Sequence, residues 1–416
     1  MYIINAILDL GPMVMLPILI FILSVIFGEK LSRALGSGIT IGIGFIGINL
    51  VIGLLSNSLG PAAEALVKNS GLQLDVIDVG WPAAAAIAFA SRVGALVIPI
   101  GLAVNIIMLL TKTTKTVNVD LWNYWHFAFT GALVTAATGN LTLGIMAAAV
   151  NCAFVLKLGD WTAAMVQEFY GLPGISLPHG FAIAYVPIAI PIDILLNKIP
   201  GLNKIEINSD NISKKFGVLG EPTMIGLFLG TILGLLAKYD IKGALNLGMS
   251  MAGVMFLMPR MVKILVEGLM PVSRAAQKFM QKRFAGTEFY IGLDSAVAIG
   301  HPAAITTALI LVPLAILLAF ILPGNRVLPF GDLATIPTMV AMIAPICRGN
   351  VFRTTIIGVV VIAAGLLIST NLAPYHTQAA IDAAFQFPEG ATSISSICDG
   401  ANPLTWVIVK VMQLFC

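Results

Sequence analysis

The sequence has few charged residues: Asp, Glu, Lys and Arg together make up 10% of the chain. Soluble domains carry about 25% charged residues, and a 416-residue chain with so few charges could not cover a surface that meets water. This shortage excludes a soluble globular protein, a disordered chain and a nucleic-acid binder. Because 58% of the residues are hydrophobic, the composition predicts an all-α, polytopic integral membrane protein.

Cysteine and histidine are also scarce, with four residues of each type. The cysteines form no CxxC pair and no two histidines have ligand spacing, so we predict neither a disulfide framework nor a metal site. The glycine-rich run at 38–47 lacks the Lys-Ser/Thr ending of a phosphate-binding loop. We therefore predict no cofactor. If the protein moves a solute against a gradient, the energy would come from an ion gradient or from another protein.

A bilayer crossing needs about 20 mostly apolar residues. We predict about 11 transmembrane helices, with re-entrant or broken helices where prolines interrupt apolar runs. The first run is interpreted as a span and not as a signal peptide, because it is too long and no basic residue precedes it. The predicted spans are 4–27, 38–55, 83–110, 125–156, 181–196, 221–237, 244–259, 293–322, 333–347, 354–370 and 404–416.

Lysine and arginine are distributed unevenly between alternate loops. Sixteen lie in one set of loops and five in the other, which predicts that the first set is cytoplasmic, with the N-terminus outside and the C-terminus cytoplasmic. The cytoplasmic set is 28–37, 111–124, 197–220, 260–292 and 348–353. The outer set is 56–82, 157–180, 238–243, 323–332 and 371–403.

The segment 260–286 reads as a basic amphipathic helix on the cytoplasmic side. Arg274, Lys278 and Lys282 share one face, which suits either anionic lipid or a cytoplasmic partner protein. No long internal repeat is visible in the sequence.

Polar residues within apolar runs are candidates for a binding site, because such groups are costly in a bilayer. Asp294 and His301 are seven residues apart, a spacing that predicts one shared helix face. Carboxylates and imidazoles can hydrogen-bond sugar hydroxyls, and a ring such as that of Trp81 can pack on the C–H face of a sugar. The other candidates from burial alone are Asp78, His126, His179, Glu221 and Asp332.

Each candidate also has a structural interpretation. Carboxylates can lie at solvated helix ends, histidines can bond a broken helix, and tryptophans can form an interfacial belt. We favour a solvated helix end for Asp193 and a structural role for His376 in the predicted outer loop 371–403.

An ordered series of short motifs resembles the membrane component, enzyme IIC, of the galactitol-type bacterial phosphotransferase system (PTS), and more distantly the ascorbate-type PTS transporters. The series covers nearly the whole chain. Its members are Leu8-Asp9-Leu10-Gly11-Pro12, Gly42-Ile43-Gly44-Phe45, Gly60-Pro61-Ala62-Ala63, Ile77-Asp78-Val79-Gly80-Trp81-Pro82, Val117-Asn118-Val119-Asp120, Trp125-His126, Lys157-Leu158-Gly159-Asp160-Trp161, Pro178-His179-Gly180, Phe216-Gly217, Gly220-Glu221-Pro222, Gly292-Leu293-Asp294 and Leu328-Pro329-Phe330-Gly331-Asp332-Leu333-Ala334-Thr335-Ile336.

The resemblance implies a single EIIC domain over 1–416, with scaffold and mobile core elements interleaved. It implies a homodimer in the bacterial inner membrane that imports a hexitol, galactitol first, by an elevator-like movement. Import would be coupled to phosphorylation of the polyol by a phosphocysteine on a separate cytoplasmic IIB protein, itself supplied by IIA. The chain would thus be the membrane subunit of a sugar phosphotransferase. It ends at Cys416 inside an apolar run, shorter than is common in the family.

The resemblance also implies site residues. Position by position, the ascorbate-type site corresponds to a set that shares five members with the burial argument. That set is Asn49, Asp78, His126, Thr130, His179, Gly180, Asp294 and His301. Trp81 and Asp332 complete the predicted substrate-binding residues, and Asp294 or Glu221 is the predicted catalytic base.

An ion-coupled secondary transporter of a sugar or polyol is the alternative function, because intramembrane Asp and His residues also suit proton relays. A non-transporting membrane scaffold would leave the buried polar residues unexplained.

Overall fold

The computed structural model describes residues 12–70, 74–208, 218, 221–283, 288–329, 331–387 and 391–415. Most of these residues are helical, as predicted for a polytopic membrane protein. The α-helices are α1 Pro12–Ile26, α2 Leu31–Ser70, α3 Gly80–Ala90, α4 Val97–Leu110, α5 Trp125–Thr138, α6 Leu141–Tyr170, α7 Val186–Lys198, α8 Pro222–Leu236, α9 Ile241–Arg283, α10 Ala296–Ile299, α11 Pro302–Ile321, α12 Ile336–Ala341, α13 Ile343–Ile346, α14 Val351–Asp382 and α15 Pro403–Met412.

Six short strands, which the all-α prediction did not include, form two parallel sheets. The strands are β1 Val76–Asp78, β2 Thr116–Asn118, β3 Ile175–Ser176, β4 Tyr290–Gly292, β5 Val327–Leu328 and β6 Ser393–Ser395. The first sheet has the order β5-β1-β6, and the second has the order β2-β4-β3. In the first sheet Ile77 pairs with Leu328 and Ile394. In the second sheet Ile291 pairs with Val117 and Ile175.

The element order of the first half of the chain recurs in the second half. The pair α1–α2 corresponds to α8–α9, β1 to β4, β2 to β5, β3 to β6, and α7 to α15. The first strand of each half lies at the centre of a sheet whose outer strands come from the other half. The fold therefore contains an internal repeat that the sequence did not reveal, and the two halves are joined through both sheets.

Five helices are long and apolar enough to cross a membrane within the part of the chain that the structure describes. They are Leu31–Leu66, Leu141–Tyr170, Ile241–Val272, Pro302–Ile321 and Val351–Asp382. The pair Gly80–Ala90 and Gly94–Leu110 is bent by 74° and becomes a sixth if it counts as one broken span. The predicted count of 11 is therefore not confirmed, whereas the predicted irregularity at 83–110 is seen as this bend.

Two helices cover the run 125–156, which counted as one of the eleven candidates although it is too long for one simple span. Gly139 adopts a left-handed conformation after α5, and the Asn140 side chain accepts hydrogen bonds from the Thr142 and Leu143 amides at the start of α6. Helix α6 continues to Tyr170, so much of the predicted outer loop 157–180 is helical.

This extra helix also corrects the loop alternation. Lys157 donates a hydrogen bond to the Thr113 carbonyl at 3.0 Å, and the Lys115 amide donates to Asp160. The segment 157–160 thus lies beside 113–115, although we predicted the two on opposite sides of the membrane.

Two other segments also differ from their predictions. The basic segment 260–286 is no separate helix, because its described part is the continuation of α9, where Arg274 and Lys278 are exposed and Leu265 is buried. The predicted outer loop 371–403 begins with the last turns of α14, in which His376 is buried.

Parallel pairing fixes which segments share an end of the molecule. Residues 111–115, 171–174 and 288–289 lead into the second sheet, and we call their side the second-sheet end. Residues 74–75, 322–326 and 391–392 lead into the first sheet and define the first-sheet end. Helix α14 has 32 residues, about 48 Å in length, and runs from the second-sheet end to the first-sheet end.

An exposed ion pair lies at the first-sheet end. The Arg326 guanidinium donates two hydrogen bonds to Asp75, and it holds the pKa of that carboxyl below its usual range. The pair joins the two segments that enter β1 and β5.

Close backbone contact holds the loops after β1 and β5 together. Gly80 has a positive φ of 81°, and a Cβ atom at Gly331 would lie 2.4 Å from the Gly80 nitrogen. Only glycine can occupy position 331 without displacing this loop.

Replacing Gly331 with Ala should therefore lower stability by about 1–3 kcal/mol through overpacking. The matched control is Gly36→Ala on α2, where a Cβ atom would have no neighbour within 4 Å. Thermal unfolding of the purified variants in detergent measures the effect. Equal midpoints for Gly331→Ala and wild type would show that this contact is not tight.

Candidate functional site

Four ionisable side chains form a row in the interior. Nδ1 of His126 lies 2.7 Å from Oδ2 of Asp399, and Nε2 of His126 lies 3.4 Å from Nε2 of His179. The same nitrogen of His179 lies 3.6 Å from Oδ1 of Asp294. We call this set, in the order Asp294, His179, His126 and Asp399, the Asp–His row.

Strand ends position all four members of the row. His126 is in the first turn of α5, eight residues beyond β2, and His179 lies three residues beyond β3. Asp294 follows β4 and Asp399 follows β6. Since β2 and β3 belong to the first half of the chain and β4 and β6 to the second, the row lies where the two halves meet.

Access to the row is uneven along its length. The side chains of Asp399 and His126 are 0% and 1% exposed, whereas that of Asp294 is 24% exposed. Asp294 is therefore the member that a solute could reach first. The buried Asp120 accepts a hydrogen bond from the Asn123 side chain at 2.6 Å and lies within electrostatic reach of Asp294.

Close packing holds the histidines together. A Cβ atom at Gly180 would lie 2.5 Å from Cβ of His126, so a larger residue at that position would push the two loops apart. The Asn402 side chain donates to the Gly180 carbonyl at 3.0 Å and also caps α15. This asparagine ties the Asp399 loop to the His179 loop.

A second layer of polar side chains lies one turn along α5 from His126. The Thr130 hydroxyl bonds the Thr405 hydroxyl at 2.7 Å and accepts a hydrogen bond from the Asn151 amide. All three residues are buried. The predicted site residue Thr130 thus joins α5, α6 and α15 behind the Asp–His row.

Asp78 and Asp332 lie together in a different cluster, in the loops of the first sheet. Asp78 accepts hydrogen bonds from the amides of Gly80, Ile397 and Asp332. Asp332 accepts from the Trp81 and Cys398 amides and from the Ser396 hydroxyl, at 2.6–2.9 Å.

Loop amides and the Ser396 hydroxyl occupy the oxygens of both carboxyl groups. This pair joins the loops after β1, β5 and β6. Trp81 lies beside it with its side chain 39% exposed.

His301 does not share a helix face with Asp294, as the seven-residue spacing had predicted. The helix is broken, because α10 ends at Ile299 and His301 caps the start of α11 through the Ala303 amide. The imidazole stacks on Phe169, with ring centroids 4.3 Å apart. It lies near Gly349, at the second-sheet end.

Asn49 and Glu221 lie on the surface of the molecule. Asn49 is exposed on α2, and Glu221 is exposed at the start of α8, where its side chain makes no capping hydrogen bond. No described contact joins either residue to the Asp–His row.

Sequence reasoning missed Asp399, because it treated this residue as part of an acidic outer loop. A sequence signal for a strand-to-helix turn was present at this position. The polar, Gly and Pro residues that mark the other such turns also occur in Asp399-Gly400-Ala401-Asn402-Pro403. The environment of Asp193 also differs from the prediction. We predicted a solvated helix end, but Asp193 forms a largely buried ion pair with Arg353 of α14.

Apolar helices long enough to span a membrane, arranged around a buried row of hydrogen-bonding groups, are typical of a membrane transport protein. A family model described as "PTS system sugar-specific permease component" (EIIC-GAT) matches residues 6–390. The chain belongs to this family of bacterial inner-membrane permease components.

Named relatives agree with the family match. The chain is 47% identical over 407 residues to the "PTS system galactitol-specific EIIC component" of Escherichia coli strain K12, covering 98% of this chain and 90% of the relative. The protein of that name from Escherichia coli O157:H7 gives the same values. A "Putative permease IIC component" of strain K12 is 43% identical over 408 residues, which is 98% of this chain and 93% of that protein.

The two clusters should respond differently to alanine substitution. Asp332→Ala removes the acceptor from two backbone amides and a hydroxyl, and each unpaired buried donor costs about 1–3 kcal/mol, so the variant should unfold at lower temperature. Among the described contacts, Asp294→Ala frees one backbone amide, that of Ala296, and removes the carboxylate beside His179. It should therefore stay folded but lose affinity for a solute. Thermal unfolding and equilibrium binding, measured on both variants, separate the roles. A stable Asp332→Ala protein that fails to bind solute would place the binding site in the first-sheet loops instead.

Proposed function

We propose that the chain imports a hexitol, with galactitol as the first candidate, and that import is coupled to phosphorylation by a separate phospho-IIB protein. The observation that carries the proposal is the Asp–His row, a buried set of hydroxyl-binding groups. It occurs in a chain 47% identical to a galactitol-specific EIIC component. Imidazole and carboxylate groups in an apolar interior suit an uncharged polyol, because they supply both donors and acceptors.

The chemistry needs a base beside the reacting hydroxyl. The polyol oxygen forms a bond to phosphorus while the P–S bond of the donor phosphocysteine breaks, and the electron pair leaves on sulfur. The hydroxyl proton passes to the base. Asp294 suits this role because it is the partly exposed end of the row. Glu221 is exposed at the start of α8, where its side chain makes no capping hydrogen bond, and it is the weaker candidate.

We propose one EIIC domain over 1–416 that acts as a homodimer with an elevator-like movement. The packing supports a division into two groups: α1, α2, α8 and α9 pack on one another, while the strands and the remaining helices surround the row. The first group is the proposed scaffold and the second the proposed mobile core.

We propose that the second-sheet end faces the cytoplasm, with IIB binding there and IIA upstream of IIB. The distribution of basic residues supports this, because Lys112, Lys115, Lys157 and Arg348 belong to that end, as does the basic end of α9. Helix α1 then begins on the outer side, as the loop count predicts.

For the C-terminal helix we propose an outer position, in place of the cytoplasmic one that 11 crossings predict. Helix α15 lies beside the second half of α14: Trp406 bonds Asn371 and Gln413 bonds Tyr375. It therefore runs toward the first-sheet end, like the last turns of α14.

Asp294→Asn should lower substrate-dependent phosphorylation about 100-fold, since general-base catalysis contributes about 10²–10⁴. The assay combines purified permease, phospho-IIB and galactitol, and follows polyol phosphate. Glu221→Gln is the matched carboxylate control and should keep its rate. Full activity in both variants would show that Asp294 is not the general base.

Uptake into sealed vesicles tests the coupling itself. With phospho-IIB available, we expect accumulation of the phosphorylated polyol, and without a phosphoryl donor we expect none. Accumulation of unmodified polyol driven by a proton gradient alone would contradict phosphoryl coupling and support the ion-coupled alternative.

Thiol labelling tests the orientation, helped by the burial of Cys152, Cys347 and Cys398. In right-side-out vesicles, a membrane-impermeant maleimide should label Lys242→Cys at the start of α9 without permeabilisation. Lys204→Cys, beyond α7, should react only after the vesicles are opened. The reversed pattern would invert the proposed orientation.

A further inference from the structure

The backbone fixes the hydrogen positions in the Asp–His row, starting at His179. The Ala182 amide donates a hydrogen bond to Nδ1 of His179 at 3.3 Å. A ring nitrogen that accepts carries no hydrogen, so neutral His179 carries its hydrogen on Nε2.

That assignment favours one tautomer of His126, because Nε2–H of His179 lies near Nε2 of His126 as well as Oδ1 of Asp294. Nε2 of His179 faces Nε2 of His126 at 3.4 Å, and a donor must face an acceptor. With Nε2 of His126 bare, its hydrogen is on Nδ1, which donates to Asp399 at 2.7 Å. The opposite tautomer would place two N–H groups against each other.

We propose that Asp399 is a positioning residue that holds His126 in the Nδ1–H tautomer, so that His126 and His179 offer one acceptor and one donor to a single substrate hydroxyl. A hydroxyl group both donates and accepts, so it matches this pair. Asp294, next to His179, accepts from the adjacent hydroxyl. The site thereby selects an uncharged vicinal diol, an assignment that rests on the proposed function.

The surroundings of Asp399 favour this role. Its side chain is fully buried, and its Oδ2 lies 2.7 Å from Nδ1 of His126. Its backbone carbonyl accepts from the Asn402 amide at 3.2 Å, and the Asn402 side chain holds Gly180 beside His179. Burying a carboxyl group costs free energy, and in this site the group contributes to substrate specificity by orienting His126.

Nitrogen-15 NMR of histidine-labelled protein tests the tautomers directly, because the chain has only four histidines. In wild type we expect His126 protonated on Nδ1 and His179 on Nε2. Asp399→Asn should bring His126 partly or wholly into the Nε2–H form and weaken galactitol binding roughly tenfold. Thr307→Val, which removes a buried hydroxyl outside the row, should change neither.

A substrate analogue tests the hydroxyl assignment. The test uses a series of galactitol analogues, in each of which fluorine replaces one hydroxyl. The analogue that lacks the hydroxyl bound by His126 cannot donate a hydrogen bond to it. That analogue should bind the wild-type protein at least about tenfold more weakly than galactitol does. Asp399→Asn should lose most of this discrimination.

The outcomes separate this inference from the proposed function. Wild-type His126 carrying its hydrogen on Nε2, with galactitol still bound, overturns the role of Asp399 alone, and this measurement needs no variant to fold. The expected tautomers together with no galactitol binding overturn the proposed function and the hydroxyl assignment with it. Unchanged analogue discrimination in Asp399→Asn overturns the assignment of the acceptor.

Discussion

Broken helices leave backbone amide and carbonyl groups without partners in an apolar interior, where each unpaired group costs several kcal/mol. The two three-stranded sheets satisfy that constraint, and the rest of the structure depends on them. Each central strand, β1 or β4, pairs on both sides with strands of the other half of the chain. Neither half can therefore satisfy its broken segments alone, and the fold becomes one unit through backbone hydrogen bonds at its centre.

The same pairing explains where the polar side chains collect. Parallel strands end at the same edge, so the residues that follow them converge. After the first sheet, Asp78 and Asp332 converge, and loop amides and a serine hydroxyl occupy their oxygens. After the second sheet, His179 and Asp294 converge and meet His126 and Asp399. The first cluster joins loops, and the second keeps a carboxyl group open to solutes.

The sequence predicts the membrane class and most of the residues of the Asp–His row, because isolated Asp and His residues in apolar runs are conspicuous. It could not show which of them meet. Asp78 and Asp294 look alike in sequence, because each directly follows a short apolar run. Only the pairing register places one in a joining pair and the other in the row. Asp399 was missed because a loop that re-enters the interior has the same composition as one that stays in water.

Hydropathy alone does not establish the number of helices, for a related reason. Hydropathy measures apolar length, and it does not register Gly139 and Asn140 as a turn between two helices, or the 74° bend after Ala90. The internal repeat is not visible in the sequence because it consists of a repeated order of helices and strands. Different apolar residues can form the same helices and strands, so the two halves need not share a sequence pattern.

The central claim is that a polyol binds at the Asp–His row between the two halves of the chain. An electron cryomicroscopy structure of the permease with bound galactitol tests it most directly. The account predicts density for the polyol within hydrogen-bond distance of Asp294 and His179. Polyol density against Asp78 and Asp332, or away from both clusters, would contradict it.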